Sequence, residues 1–271
     1  MKKLNERSLK RGDIILTTTT DAISKAIRVA TWSDISHAMI YVEDHSVIDA
    51  TGDGVHARNT QRLHFEDDCS VYALRLRASL SDEQIRGICD FVRAQVGTQY
   101  SRREAISTRF GGARAWSRKQ FCSRLVAQAY ASVGIKLVDD PNFCSPADIK
   151  HSPALAEIPS PTISISANET KFWNERQSLP EKMAAATNAV LDGARVKNKD
   201  IQNLNDLDLH LVKYPEDDEF VCGLLETSGY LTLWRFNLEV NPWQYDLRLM
   251  NAHAARDSRM EEYCRDVVLN E

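Results

Sequence analysis

Two apolar runs, SHAMIYV at 36–42 and VIDA at 47–50, are separated by only four polar residues, Glu43, Asp44, His45 and Ser46. So short a connection joins antiparallel neighbours, and this stretch predicts a β-hairpin. Within the first run the pleat sends His37, Met39 and Tyr41 to one side and Ala38, Ile40 and Val42 to the other. Whether Asp49 joins His37 depends on register, because directly opposed residues share a face. Only a loop with an odd number of residues brings Asp49 to the His37 side. An even loop turns it away and leaves Asp44, or a residue outside the hairpin, to partner the histidine.

A second stretch, KQFCSRLVAQAY at 119–130, begins basic and becomes the pattern of a buried helix. Leu125, Val126, Ala129, Tyr130 and Val133 fall on one face, and Gly134 supplies the stop. Cys122 stands at the helix start, where the partial positive charge of the first turn favours a thiolate, and Arg118 and Lys119 act in the same sense. A nucleophilic thiol also needs an imidazole, and an imidazole that shuttles protons needs a polar group to orient it. Of the seven histidines only His37 lies in a strongly patterned strand, and Asp49 lies in the next run. Taken alone, a cysteine opening a core helix is more often a packing residue than a nucleophile. Both readings stand at this point.

Elsewhere, Ile14-Ile15-Leu16 and 71–76 predict strands, and 21–31 predicts a helix. Ser81 and Gln84 form a capping box ahead of a helix that runs to Gly97. Residues 98–117 are polar and predict a loop with a short helix at 103–107. Pro153, Pro159 and Pro161 mark a boundary near 155, dividing a domain at 1–155 from an extension at 156–271 with helices expected near 180–194 and 255–268. In that extension Glu216-Asp217-Asp218-Glu219 is expected to be a solvated loop rather than a metal site, lacking the alternating spacing of a calcium loop. His45, His56 and His64, in turn-rich sequence, are expected to face solvent.

The 271 residues carry a formal net charge of −4, which argues against a nucleic-acid partner. No signal peptide and no membrane-spanning run is read. The six cysteines are scattered, with no CxxC pair, and predict reduced thiols rather than disulfides or a zinc cluster. The expected location is cytoplasmic, or exported by a route that needs no signal peptide.

Six segments in order, GDIIL at 12–16, SHAMIYV at 36–42, VIDAT at 47–51, GTQY at 97–100, FCSRLVAQAY at 121–130 and CSPADI at 144–149, resemble the permuted papain-like hydrolases of the NlpC superfamily, in particular the YiiX-like group. The resemblance covers the N-terminal half. It implies an α+β fold in which an antiparallel sheet packs on the catalytic-cysteine helix, followed by a mainly helical C-terminal extension. It also implies Cys122 as nucleophile, His37 as general base and acid, Asp49 as the orienting acid where the family often has glutamate, and Tyr100 and Ser123 as substrate-contacting residues. No metal or organic cofactor is implied. The expected activity is cysteine hydrolysis of an amide, most naturally in a peptidoglycan-type peptide. Three alternatives are a lipid or acyl-ester hydrolase or acyltransferase, an exported antibacterial effector with an immunity or delivery partner, and an inactive binding module.

Overall fold

A computed structural model describes residues 1–18, 35–43, 45–101, 104 and 117–255. The helix expected over 21–31, all but Glu104 of the one expected at 103–107, and all but the first residue of the one expected near 255–268 lie outside the described residues. In chain order the elements are β1 (Lys2–Leu4), β2 (Ile14–Thr17), β3 (His37–Glu43), β4 (Ser46–Thr51), β5 (Gly54–Asn59), β6 (His64–Phe65), β7 (Val71–Leu76), α1 (Asp82–Ala94), α2 (Cys122–Ser132), α3 (Pro146–Lys150), β8 (Leu155–Glu157), β9 (Thr162–Ser164), α4 (Ala167–Asn174), α5 (Leu179–Ala194), α6 (Leu204–Lys213), α7 (Asp218–Thr227), α8 (Leu233–Val240) and α9 (Leu247–Ala254). This is the expected α+β architecture.

One antiparallel sheet has the order β5-β4-β3-β2-β7-β8, and a smaller one has the order β6-β1-β9. The central strands of the large sheet read as almost continuous apolar runs because both of their faces are covered. Ile14, Leu16, Ala38, Ile40, Ile48 and Ala50 pack with Ile88, Val92, Leu125 and Val126 of α1 and α2. On the other face Ile15, Met39, Tyr41 and Val47 pack with Leu4 and Phe65 of the small sheet. The capping box forms as expected, Ser81 Oγ accepting from the Gln84 amide and Gln84 Oε1 from that of Ser81, each at 3.1 Å. The proline-rich stretch carries the chain from β8 in the large sheet to β9 in the small one.

The hairpin forms with a register the loop rule did not foresee. Glu43 pairs with Ser46, leaving an even, two-residue connection, yet Met39 pairs with Asp49. A β-bulge between Tyr41 and Glu43 accounts for the difference, since β3 advances two residues there while β4 advances one. Val42 is thus the extra residue that returns Asp49 to the His37 side. Its carbonyl accepts a hydrogen bond from the Cys89 thiol of α1 at 3.6 Å.

Beyond β9 the chain is helical, with its own apolar cluster of Val190, Leu191, Ala194, Ile201, Leu207 and Val221. Helix α5 docks on the sheet domain: Asn188 Nδ2 donates to the Asp53 carbonyl and Arg195 Nη2 to that of Gly97, each at 3.0 Å. The acidic run at 216–219 is not a loop: Glu216 and Asp217 lie in a 3-10 turn, Pro215–Asp217, and Asp218 and Glu219 open α7, where carboxylates suit the positive helix end. Asp217, just ahead of α7, accepts from Lys197 Nζ at 2.7 Å and His210 Nε2 at 2.9 Å. Among the described residues no helix is long and apolar enough to cross a membrane.

Candidate active site

Cys122 is the first residue of α2, where the chain turns from extended backbone at Phe121 (φ −142°, ψ 161°) into a helix that, among the described residues, no side chain caps. The first-turn N–H groups therefore remain available as donors. The approach to this point is fixed by a bridge between Tyr100 and Gln120, with the Ser101 amide donating to the Gln120 carbonyl at 2.8 Å and the Gln120 amide to Gln99 at 2.9 Å. Tyr100 is thereby held beside the segment that leads into Cys122. With Gln99 and Lys119 it lines a cavity of about 400 Å³ under α5. Ser123 is differently employed: it is buried, and its hydroxyl donates to the Cys144 carbonyl at 2.7 Å, so it is committed to the chain rather than turned to a ligand.

His37 opens β3 and is buried. Its Nε2 donates to Asp49 Oδ2 at 2.6 Å, and the Cys122 thiol reaches the same imidazole. With Nε2 engaged by the carboxylate, Nδ1 is the nitrogen left for the sulfur. Burial works against a charged ring, but the hydrogen bonds to Asp49 and Cys122 and the negative charge of both outweigh it and push the histidine up to about 10. Asp49 is wholly buried, which alone would favour its neutral form. Its bonds and charge interactions with His37, and the charges of Arg58 and His56, hold it down at about 2. The structure thus brings Cys122, His37 and Asp49 together. Tyr100 lines the separate cavity under α5, and Ser123 is buried within α2.

Two features escaped the sequence reading. Arg124, two residues past Cys122, is fully buried and donates to Glu104 Oε2 at 2.8 Å and to the carbonyls of Lys119 and Asn142 at 2.7 and 2.8 Å. Its guanidinium lies 4.4 Å from the Phe121 ring centroid and 5.1 Å from that of Phe143. Glu104 also accepts from the amide and hydroxyl of Ser117, each at 2.7 Å. This knot clamps the segment that delivers the cysteine. Its one sequence signal is that Arg124 is the only charged residue in the helix Cys122–Ser132. The second feature corrects an expectation: His56 is half-buried, and its Nε2 is 3.8 Å from Asp49 Oδ1. Beside it Arg58 Nη1 donates to Asp49 Oδ2 at 3.1 Å. The alternation His56, Arg58 along β5 was the visible hint. His45 is exposed and pairs with Glu6 as a surface contact, while His64 is half-buried against the Gln61 carbonyl. Among the described residues no group of three or more histidine, cysteine or carboxylate side chains is placed to hold a metal ion.

An antiparallel sheet backed by a helix that opens on a cysteine, with the histidine strand ahead of that helix in the chain, is the layout of a papain-like domain in permuted order. Residues 8–189 match the family described as permuted papain-like amidase enzymes, YaeF/YiiX, C92, and the chain belongs to that family. A curated relative, the probable lipoprotein peptidase YaeF of Escherichia coli K12, is 25% identical over 186 residues, a match that covers 56% of this chain and 66% of YaeF, just under two thirds of its length. Among solved structures, the metalloprotein yiiX of Escherichia coli O157:H7 is 21% identical with a TM-score of 0.45, covering 59% of this chain and 98% of its own.

Proposed function

We propose that the chain is a cysteine amidase of the peptidase type, with Cys122 as nucleophile, His37 as general base and acid, and Asp49 as the group that orients the imidazole. The observation that carries this reading is one buried imidazole bound to Asp49 at 2.6 Å on one side and reached by the Cys122 thiol. A histidine that keeps its proton up to about 10 beside a carboxylate ionised down to about 2 supplies, before the acyl group is bound, a counter-charge for a thiolate across the neutral range.

The Cys122 sulfur attacks the carbonyl carbon of an amide, forming a C–S bond, and the carbonyl electrons move to oxygen. The uncapped N–H groups at the start of α2, that of Cys122 among them, suit the developing oxyanion. As the C–N bond breaks, the leaving amine takes its proton from His37. Water then gives a proton to the neutral imidazole and attacks the thioester, and the acid and the Cys122 thiolate are released. The family and the name of its YaeF relative favour a peptide bond over an ester. The peptide class that best fits the resemblance is a peptidoglycan stem. Tyr100 and the cavity beside it form the substrate rim, and the helices beyond 155 form an extension that roofs it.

Treating the native protein with iodoacetamide at pH 6 and mapping adducts over the six cysteines tests the chemistry. Cys122 labels first, and His37→Ala removes that preference. Equal, slow labelling of all six would sink the reading. Digestion of purified stem peptides, compared with acyl esters, then decides the substrate class, with release of free amine expected only from the peptides.

A further inference from the structure

Asp49 has no exposed surface, and its two oxygens are supported differently. Oδ2 accepts from both His37 and Arg58, whereas Oδ1 makes no hydrogen bond among the described residues and has His56 Nε2 at 3.8 Å. The register explains this grouping: His56 pairs directly across from Asp49, and Arg58 follows two residues on along the same face of β5. Among the described residues the groups that face Asp49 are therefore His37 from β3 and His56 and Arg58 from β5, with Cys122 of α2 acting through His37. Arg58 and His56 also line a cavity of about 310 Å³ walled by α5, whose lining includes the carboxylates of Asp53 and Glu181.

A carboxylate withdrawn from water needs a compensating charge. In the proposed cycle His37 gives its proton to the leaving amine, and the acyl-enzyme then holds a neutral imidazole beside a buried anion. Arg58, which never loses its proton, is the cation that remains on Asp49 during that half of the cycle. We propose that Arg58, assisted by His56, is the positioning residue that keeps Asp49 ionised and aimed at His37 Nε2. This inference rests on the Cys122–His37–Asp49 reading.

The test compares the wild-type chain with Arg58→Ala, Arg58→Lys, His56→Gln and Asp49→Asn. The His37 imidazole titration is followed by NMR, the pH dependence of Cys122 alkylation by mapped adducts, and the fold by thermal midpoint. Loss of a bystander positive charge would raise the pH at which His37 releases its proton, whereas loss of positioning lowers it. The expected result is a fall of at least tenfold in His37 proton affinity in Arg58→Ala, a smaller fall in His56→Gln, and most of the wild-type value in Arg58→Lys. Cys122 alkylation at pH 5–6 falls in parallel, and each variant keeps a single cooperative thermal transition that shows it is folded at the temperature of the assay. An unchanged or raised His37 titration in Arg58→Ala, beside an impaired Asp49→Asn, overturns this inference alone. Wild-type behaviour of Asp49→Asn itself counts instead against the triad.

Discussion

Nε2 of His37 stands 2.6 Å from Oδ2 of Asp49 although Asp49 is paired across the ladder with Met39, two positions along the strand. The diagonal is short enough for an imidazole and a carboxylate on one face to meet. The shared face exists because Val42 is an extra residue in β3.

Deleting Val42 removes the bulge, shifts the hairpin by one residue and turns Asp49 toward the apolar cluster under α1 and α2. Selective labelling of Cys122 is expected to disappear in whatever fraction still folds. Val42→Ala keeps the residue count and costs only buried methyl groups, about 2 kcal/mol. It should retain Cys122 selectivity with a lowered urea midpoint. Equal labelling profiles for the deletion and the alanine variant would show that the bulge does not set the site.

The Arg124–Glu104 pair fixes the segment that presents Cys122. Replacing Arg124 by methionine leaves Glu104 facing the gap without its cation, and breaking a buried pair in this way costs about 3–5 kcal/mol. The double variant Arg124→Met, Glu104→Gln removes the stranded charge and should recover part of that loss in urea unfolding. Cys122 labelling is expected to slow in the single variant, because the carbonyls of Lys119 and Asn142 lose their donor. A single variant as stable as wild type would contradict the clamp.

What the sequence revealed and what it hid divide along physical lines. The hairpin, the capping box at Ser81 and the helix opened by Cys122 are local patterns, and all three formed. His37 and Asp49 were legible as residues of adjacent runs. Their register was not, because nothing in IYVEDHS marks one residue as a bulge. Strands β1, β6, β8 and β9 are two or three residues long, too short for periodicity to register. Glu104 and Arg124 lie 20 residues apart, and only the folded chain makes them partners. The acidic run at 216–219 misled because four carboxylates read equally well as a solvated loop and as a helix start.

Gly54 carries a second geometric demand. Its φ is +102°, and a Cβ there would come within 2.8 Å of the Thr98 carbonyl oxygen. The same carbonyl accepts from the Val55 amide at 2.9 Å, tying the β4–β5 turn to the segment that carries Tyr100. Gly54→Ala combines backbone strain with a clash and should destabilise by about 2–3 kcal/mol or more. Gly134, at φ +79° with open space around it, is the control, and Gly134→Ala should cost about 1–2 kcal/mol. Urea unfolding of the two variants checks the order; equal losses would mean that the contact with Thr98 is relieved without cost.

The His37–Asp49 pair makes stability depend on pH with a definite sign. The folded-state pKa of His37 is raised from the ordinary 6.5 to about 10, so its contribution is fully present below about 6.5 and is lost as pH rises toward 10. Asp49 is depressed from 3.8 to about 2, so its contribution is present above about 3.8 and is lost as pH falls toward 2. Wild type should therefore exceed the His37→Gln, Asp49→Asn double variant by most between about pH 4 and 6.5. The margin in unfolding free energy should shrink at pH 9 and again at pH 3. Urea titrations of both proteins at pH 3, 5, 7 and 9 measure it. A margin that grows from pH 5 to pH 9 would mean that the imidazole is neutral in the folded protein, and the thiolate at Cys122 would then have no standing counter-charge.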